Sequence, residues 1–211
     1  MRIKIYSFFK RLFDIFCSTL AIIILGIPML IVALAIKIDS KGPVLFKQDR
    51  VGKNKKIFKI WKFRSMYIDT DPNAPTHELG NATSHITKVG KFIRKTSIDE
   101  LPQLFNILSG KMSIVGPRPA LWNQYDLIAE RDKYGANDIR PGLTGLAQIS
   151  GRDELEISEK ARIDGLYMKK RGFFYDIGLI FRTVFSVFKH EGVVEGGTGE
   201  LEKEKKEKIH S

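Results

Sequence analysis

The sequence predicts an α+β fold, mainly helical, in which a re-entrant membrane helix hairpin broken at Pro28 joins a small body of amphipathic interfacial helices and one β-hairpin. Three observations predict it. Phe13 to Ile36 is an almost unbroken apolar run with a proline at its centre and basic residues at both ends. Two short stretches rich in β-branched and aromatic residues flank a polar turn at 49–54. Several helical patterns follow, the last of them crowded with phenylalanine.

From Cys17 to Ile36 no side chain is charged, about the 20 residues a helix needs to cross a hydrocarbon core. Pro28 interrupts the run, deleting a backbone hydrogen bond and crowding the preceding turn. Lys4, Lys10 and Arg11 precede the run, and Lys37, Lys41, Lys47, Arg50, Lys53, Lys55 and Lys56 follow it. Positive flanks favour the cytoplasmic side at each end, which a straight span cannot satisfy and a hairpin returning to its own face can. An ordinary kinked span and an uncleaved signal anchor stay open, since lipid-embedded helices tolerate proline. A cleaved signal peptide fits poorly, because the run is long and no small-x-small site follows it.

After the turn at Ser40–Pro43, residues 44–48 and 56–63 read as the two strands of the hairpin. Residues 69–85 form a polar loop, a lid or a surface excursion, and its Asn81-Ala82-Thr83 sequon reads as chance. Helices are expected at 88–95, 97–108, 120–134 and 154–171, with a turn-dense loop at 140–145 and a strand at 146–149. Residues 173–190 carry large apolar groups around most of a helix, as an in-plane membrane helix or a buried core helix would. The segments divide into a re-entrant membrane helix (1–38), a cytoplasmic interfacial body (39–192) and a charged flexible tail (193–211).

The 211 residues carry a net charge of +11, which implies an anionic partner such as lipid head groups, nucleotide phosphates or nucleic acid. No standard nucleic-acid motif accompanies the charge, and the apolar run argues against that partner. The single cysteine, Cys17, excludes a disulfide framework, and His77, His85, His190 and His210 lack metal-ligand spacing.

Three segments carry candidate chemistry. Ser97 with Glu100 reads as a capping box, and Asp99 in the first turn suits the helix dipole. The same two carboxylates, Asp99 and Glu100, could also hold a hard cation and offer a nucleophile. Arg118 stands between Pro117 and Pro119, either a rigid connector or a stiff stalk presenting a planar fork to phosphate. Asp69-Thr70-Asp71 has the Asp-x-Asp form of a metal-diphosphate site. Neither Gly-x-Gly-x-x-Gly nor Gly-x-x-x-x-Gly-Lys occurs, so dinucleotide and P-loop readings lose support.

Taken in order, Lys10-Arg11-Leu12-Phe13-Asp14, Phe58-Lys59-Ile60-Trp61-Lys62-Phe63-Arg64-Ser65-Met66, residues 97–106, residues 113–119 and Arg140-Pro141-Gly142-Leu143-Thr144-Gly145 resemble the bacterial sugar transferases. More narrowly, the chain resembles a small monotopic polyprenyl-phosphate phosphoglycosyl transferase, over nearly everything from Lys10 to Lys189. The family's kink is often a Ser-Pro pair, whereas this chain has Ile27-Pro28 beside Gly26.

The resemblance implies that Asp99 attacks the β-phosphorus of a UDP-sugar and releases UMP, after which undecaprenyl phosphate displaces the phosphosugar. It implies Mg²⁺ at Glu100 and Asp99, and phosphate contacts from Arg118, Arg94 and Arg64. Asp164 and Asp176 match acids that the family carries near its active site. The implied place is the bacterial inner (cytoplasmic) membrane, with the site on the cytoplasmic face among membrane lipids and downstream glycosyltransferases. Two rivals remain: a glycosyltransferase using Asp69 and Asp71 and releasing UDP, and a non-enzymatic basic adaptor on the membrane surface. Neither the sugar nor the final glycan nor the oligomeric state is encoded in any motif.

Overall fold

The computed structural model describes residues 2–70, 85–151 and 155–189. Helix α1 (Arg2–Asp39) contains Pro28 and runs as one hydrogen-bonded element, where the sequence predicted two half-helices. Proline removes a single rung of the ladder, and the turns on both sides are anchored to the body.

Those anchors form one stripe at helical spacing. Tyr6 and Lys10 both donate to Asp176 Oδ2 at 2.6 Å, and Arg11 donates to the carbonyls of Ile107 (2.6 Å) and Leu108 (2.8 Å). Buried Asp14 accepts from the Ile114 amide, while Ala21, Ile22 and Leu25 pack on Phe58, Ile60, Leu104, Ile107 and Met112. Beyond the proline, Met29, Val32, Ala33 and Ile36 pack against Phe63 and Ile93, and Asp39 accepts from the Val89 amide. The opposite face, with Phe16, Ile23, Ile24, Ile27, Leu30 and Ile31, is apolar and exposed.

Strands β1 (Leu45–Val51) and β2 (Ile57–Phe63) pair antiparallel, with Leu45 opposite Phe63 and Val51 opposite Ile57. Asp49, Arg50 and Val51, expected in the turn, extend β1, because Val51 donates to the Ala120 carbonyl and Arg50 bridges Leu121. That pairing also shortens the next expected helix, so that α4 spans Tyr125–Asp132 rather than 120–134. Helix α2 (Lys88–Lys95) matches expectation, with the Thr87 hydroxyl accepting from the Gly90 amide as its N-cap. The helix expected over 97–108 divides at Pro102 into a 3₁₀ turn (Ile98–Glu100) and α3 (Gln103–Leu108).

Two three-residue strands, β3 (Ser113–Val115) and β4 (Gly142–Thr144), pair in parallel. The expected strand at Leu146–Ile149 is instead α5 (Leu146–Ile149). A four-residue apolar run does not distinguish the two, and here the close backbone approach lies one motif earlier. A Cβ on Gly142 would stand 2.1 Å from the Gly116 amide nitrogen, and one on Gly145 would stand 2.1 Å from the Gly116 carbonyl. Glycine at these positions lets the 113–119 and 140–145 segments lock together backbone to backbone.

Helices α6 (Ile157–Lys170) and α7 (Phe173–Lys189) complete the body. Leu179 on α7 is buried with Val115 and Tyr167, while Phe174, Phe181 and Phe185 are exposed. Helix α7 therefore combines the two readings of its sequence, core on one face and an apolar surface on the other. Phe13 and Phe173 meet edge-on with ring centroids 5.7 Å apart, so α1 and α7 adjoin. Residues 71–84 and 190–211, which include Asp71, the sequon, His77, His190, His210 and the charged tail, lie outside the described residues.

Candidate active site

The 3₁₀ turn that carries Asp99 and Glu100 is pinned by its neighbours. Ile98 and Leu101 pack into the cluster of Ile36, Phe63 and Ile93, which fixes the two acids between them. The expected capping box does not form. Ser97 has φ 56°, ψ 16°, and its side chain makes no capping hydrogen bond. An N-cap needs an extended backbone, and the left-handed one here turns the chain sharply into the acidic pair instead.

Asp99 is 9 % exposed, and burial pushes its carboxyl up from the usual range. The charges of Lys62, Arg94 and Arg118 pull it back down, while Glu100 adds to the rise. Glu100 takes the direct contacts. Its Oε1 accepts from Lys62 Nζ at 2.8 Å and faces both terminal nitrogens of Arg118 at 3.4 Å. Asp99, Glu100, Arg94 and Arg118, candidates by motif or by the family resemblance, thus stand together in the structure, with Lys62 beside them. A signal for Lys62 existed, since it continues the strand face of Phe58 and Ile60, both buried, where an apolar residue would be expected.

Arg118 stands on a segment fixed through four consecutive carbonyls. Pro117 accepts from the Gly142 amide (2.8 Å), Arg118 from Arg131 Nη1 (2.9 Å), Pro119 from Arg50 Nη1 (3.0 Å) and Ala120 from the Val51 amide (2.9 Å). Neither proline has an N–H to donate, so the carbonyls are the main means of fastening this stretch.

The remaining predicted residues are placed elsewhere. Arg64, expected on phosphate, is 5 % exposed and donates to the carbonyls of Pro43 (2.6 Å), Lys41 (2.9 Å) and Ser40 (2.8 Å). It clamps the C-terminal exit of α1. Asp164 pairs with Arg131, and Asp176 binds Tyr6, Lys10 and Tyr167. Neither acid faces the Asp99 cluster through a direct contact among the described residues. Asp69 follows β2 in a turn closed by Thr70 on Tyr67, while its partner Asp71 is undescribed.

A family model described as bacterial sugar transferase matches residues 5–190. The chain belongs to the bacterial sugar transferase family. It is 42% identical over 193 residues to the UDP-glucose:undecaprenyl-phosphate glucose-1-phosphate transferase of Klebsiella pneumoniae, covering 85% of this chain and 40% of that protein. It is 38% identical over 200 residues to the undecaprenyl-phosphate galactose phosphotransferase of Salmonella typhimurium, covering 88% of this chain and 41% of the relative. The exopolysaccharide production protein PSS of Rhizobium leguminosarum is 42% identical over 189 residues, 84% of this chain and 94% of that one. The chain therefore spans about two-fifths of the first two relatives and nearly the whole of the third.

Proposed function

We propose that the protein transfers a sugar phosphate from a UDP-sugar to a polyprenyl phosphate such as undecaprenyl phosphate, releasing UMP. The observation that carries this reading is the buried Asp99 carboxylate beside Glu100, within the field of Lys62, Arg94 and Arg118. Three cations suit a diphosphate, and a carboxylate among them is placed to attack phosphorus. An Asp99 oxygen forms a bond to the β-phosphorus as the bond to the UMP oxygen breaks. The phosphate of the polyprenol then displaces Asp99 and restores it. Two displacements allow a water-soluble donor and a lipid acceptor to use one site in turn. The names of the relatives, glucose and galactose phosphate transferases to undecaprenyl phosphate, support the donor and acceptor classes.

Glu100 and Asp99 fit Mg²⁺ in the way diphosphate enzymes use it, through one or two carboxylates with the substrate supplying further oxygens. When bound, Mg²⁺ would neutralise diphosphate charge and ease departure of UMP. Lys62 and Arg118 orient Glu100 for that role, and Arg94 and Arg118 hold phosphate oxygens.

The membrane helix supports an active site on the side where the body sits. The helix is long and apolar enough to cross a bilayer, yet its contacts with the body continue from Tyr6 to Asp39 without a gap at the middle. A spanning helix would carry residues 21–33 away from the body. Pro28 lies on the exposed face, where its missing hydrogen bond does not interrupt the contacts with the body. Both ends then stay on one face of the inner membrane, the cytoplasmic face by their charge, while Ile23, Ile27 and Ile31 enter the lipid. On this reading residues 1–38 are the membrane element, 39–192 the catalytic body and 193–211 a tail.

Detergent-purified protein with Mg²⁺, undecaprenyl phosphate and a panel of UDP-sugars tests the reaction by the nucleotide released. UMP from one donor, lost in Asp99→Asn, supports it. Release of UDP would replace it with sugar transfer alone, and UMP release by Asp99→Asn would remove Asp99 as nucleophile.

A further inference from the structure

Arg131 and Asp164 form an ion pair in the interior of the body. Arg131 Nε donates to Asp164 Oδ2 at 2.8 Å and Nη2 lies 2.7 Å from the same oxygen, with side chains 3 % and 1 % exposed. The pair joins α4 to α6. Burial raises the Asp164 carboxyl, and Arg131, in contact with it, opposes the rise. A buried pair of this kind is poor evidence of stability, because desolvation cancels much of the attraction. Its third nitrogen shows what else it does. Arg131 Nη1 donates to the backbone carbonyl of Arg118, the one residue of the 116–120 segment whose side chain reaches Glu100.

We propose that Arg131, oriented by Asp164, is a positioning residue for Arg118 and through it for the diphosphate of the donor. This rests on the reading of Arg118 as a phosphate ligand. Between Pro117 and Pro119 the backbone has little freedom of its own, so the direction in which the Arg118 Cα–Cβ bond leaves the chain follows its peptide plane. That plane is set by Arg131 on one carbonyl, with Arg50 on the next. Asp164 contributes by accepting from Arg131 Nε, with Nη2 in ion-pair contact with the same oxygen, which leaves Nη1 to the Arg118 carbonyl. The acid that the sequence placed near the active site therefore acts on it at two removes, through one arginine and then another.

A pocket of about 10 Å³ is lined by Pro117, Arg118, Arg131, Asn137 and Pro141 among others. That volume is about the least that holds a water, so the segment has little room to move while Arg131 is in place.

The test is a double-mutant cycle on the affinity of the full chain for UDP, with Mg²⁺ present, read by calorimetry. UDP carries the diphosphate without requiring that the sugar be known. Arg131→Met/Asp164→Asn removes both buried charges together, so neither is left unpaired. We expect it to weaken UDP binding about tenfold, the worth of one charge-assisted hydrogen bond, and to add nothing further in an Arg118→Ala background. Losses that multiply in the combined variant, or unchanged affinity in a folded Arg131→Met/Asp164→Asn protein, would overturn the proposal. Should that variant not fold, Arg131→Lys, which keeps the charges balanced, carries the same cycle. Failure of the underlying reading looks different: Arg118→Ala alone would bind UDP as the wild type does.

Discussion

Replacing Arg64 by methionine separates a structural clamp from a phosphate ligand. The guanidinium donates three hydrogen bonds, to the carbonyls of Ser40, Lys41 and Pro43, and these close the turn by which α1 leaves for β1. The receiving turn is partly exposed, so water can replace part of what is lost. At about 1 kcal/mol for each bond, the methionine variant loses about 3 kcal/mol. For a chain of this size that lowers the thermal midpoint by roughly 6–12 °C. The assay is thermal unfolding in detergent, followed through the fluorescence of Trp61 and Trp122, with the donor KM of the folded variant measured below its midpoint. We expect the midpoint to fall and the KM to stay. A methionine variant that melts with the wild type and loses donor affinity would refute the clamp and return Arg64 to the phosphates.

Two further outcomes follow from the acidic turn. Burial holds the Asp99 carboxyl above its usual range, so its contribution to stability is complete below the pKa of the unfolded carboxyl and is lost as pH rises through the higher folded value. Asp99→Asn should therefore melt above the wild type at neutral and alkaline pH, with the gap closing in acid, and equal midpoints at pH 8 would contradict the burial argument. Ser97→Gly should stabilise the protein by about 1 kcal/mol by relieving a left-handed non-glycine residue; chemical denaturation showing a loss would restore the capping role.

Long-range architecture was legible where a pattern repeats or a residue has one physical use. The apolar run became α1, the stretch at 56–63 rich in β-branched and aromatic residues became β2, and the helical pattern at 88–95 became α2. Elements whose existence depends on a distant partner were not legible. β3 and β4 have three residues each and are strands only because Gly116, Gly142 and Gly145 let two backbones touch. The site divided in the same way. Asp99, Glu100 and Arg118 carry candidate chemistry in their motifs, whereas Lys62, within the Phe58–Met66 motif, and Arg131 stand out only as charges on otherwise buried faces, Lys62 after Ile60 and Arg131 one turn after Leu127. Arg64 misled because a motif arginine serves a backbone turn as readily as a phosphate, and only its three carbonyl partners distinguish the two uses.

On the proposed reading, the different treatment of the two adjacent acids follows from the role each is given. Glu100 is met directly by Lys62 and Arg118, which stabilise its charge and hold its oxygens in place. Asp99 accepts no hydrogen bond among the described residues, and the same cations act on it through their charge alone. A carboxylate covered by donors is a stable anion and a poor nucleophile, because its lone pairs are already engaged. Burial without donors has the opposite effect, raising the energy of the anion and leaving its oxygens open to phosphorus. The cost is a carboxyl that tends to hold its proton. Lys62, Arg94 and Arg118 offset that tendency from a distance, and on the proposed reading the arriving diphosphate engages those cations next to an Asp99 carboxylate that accepts no hydrogen bond among the described residues.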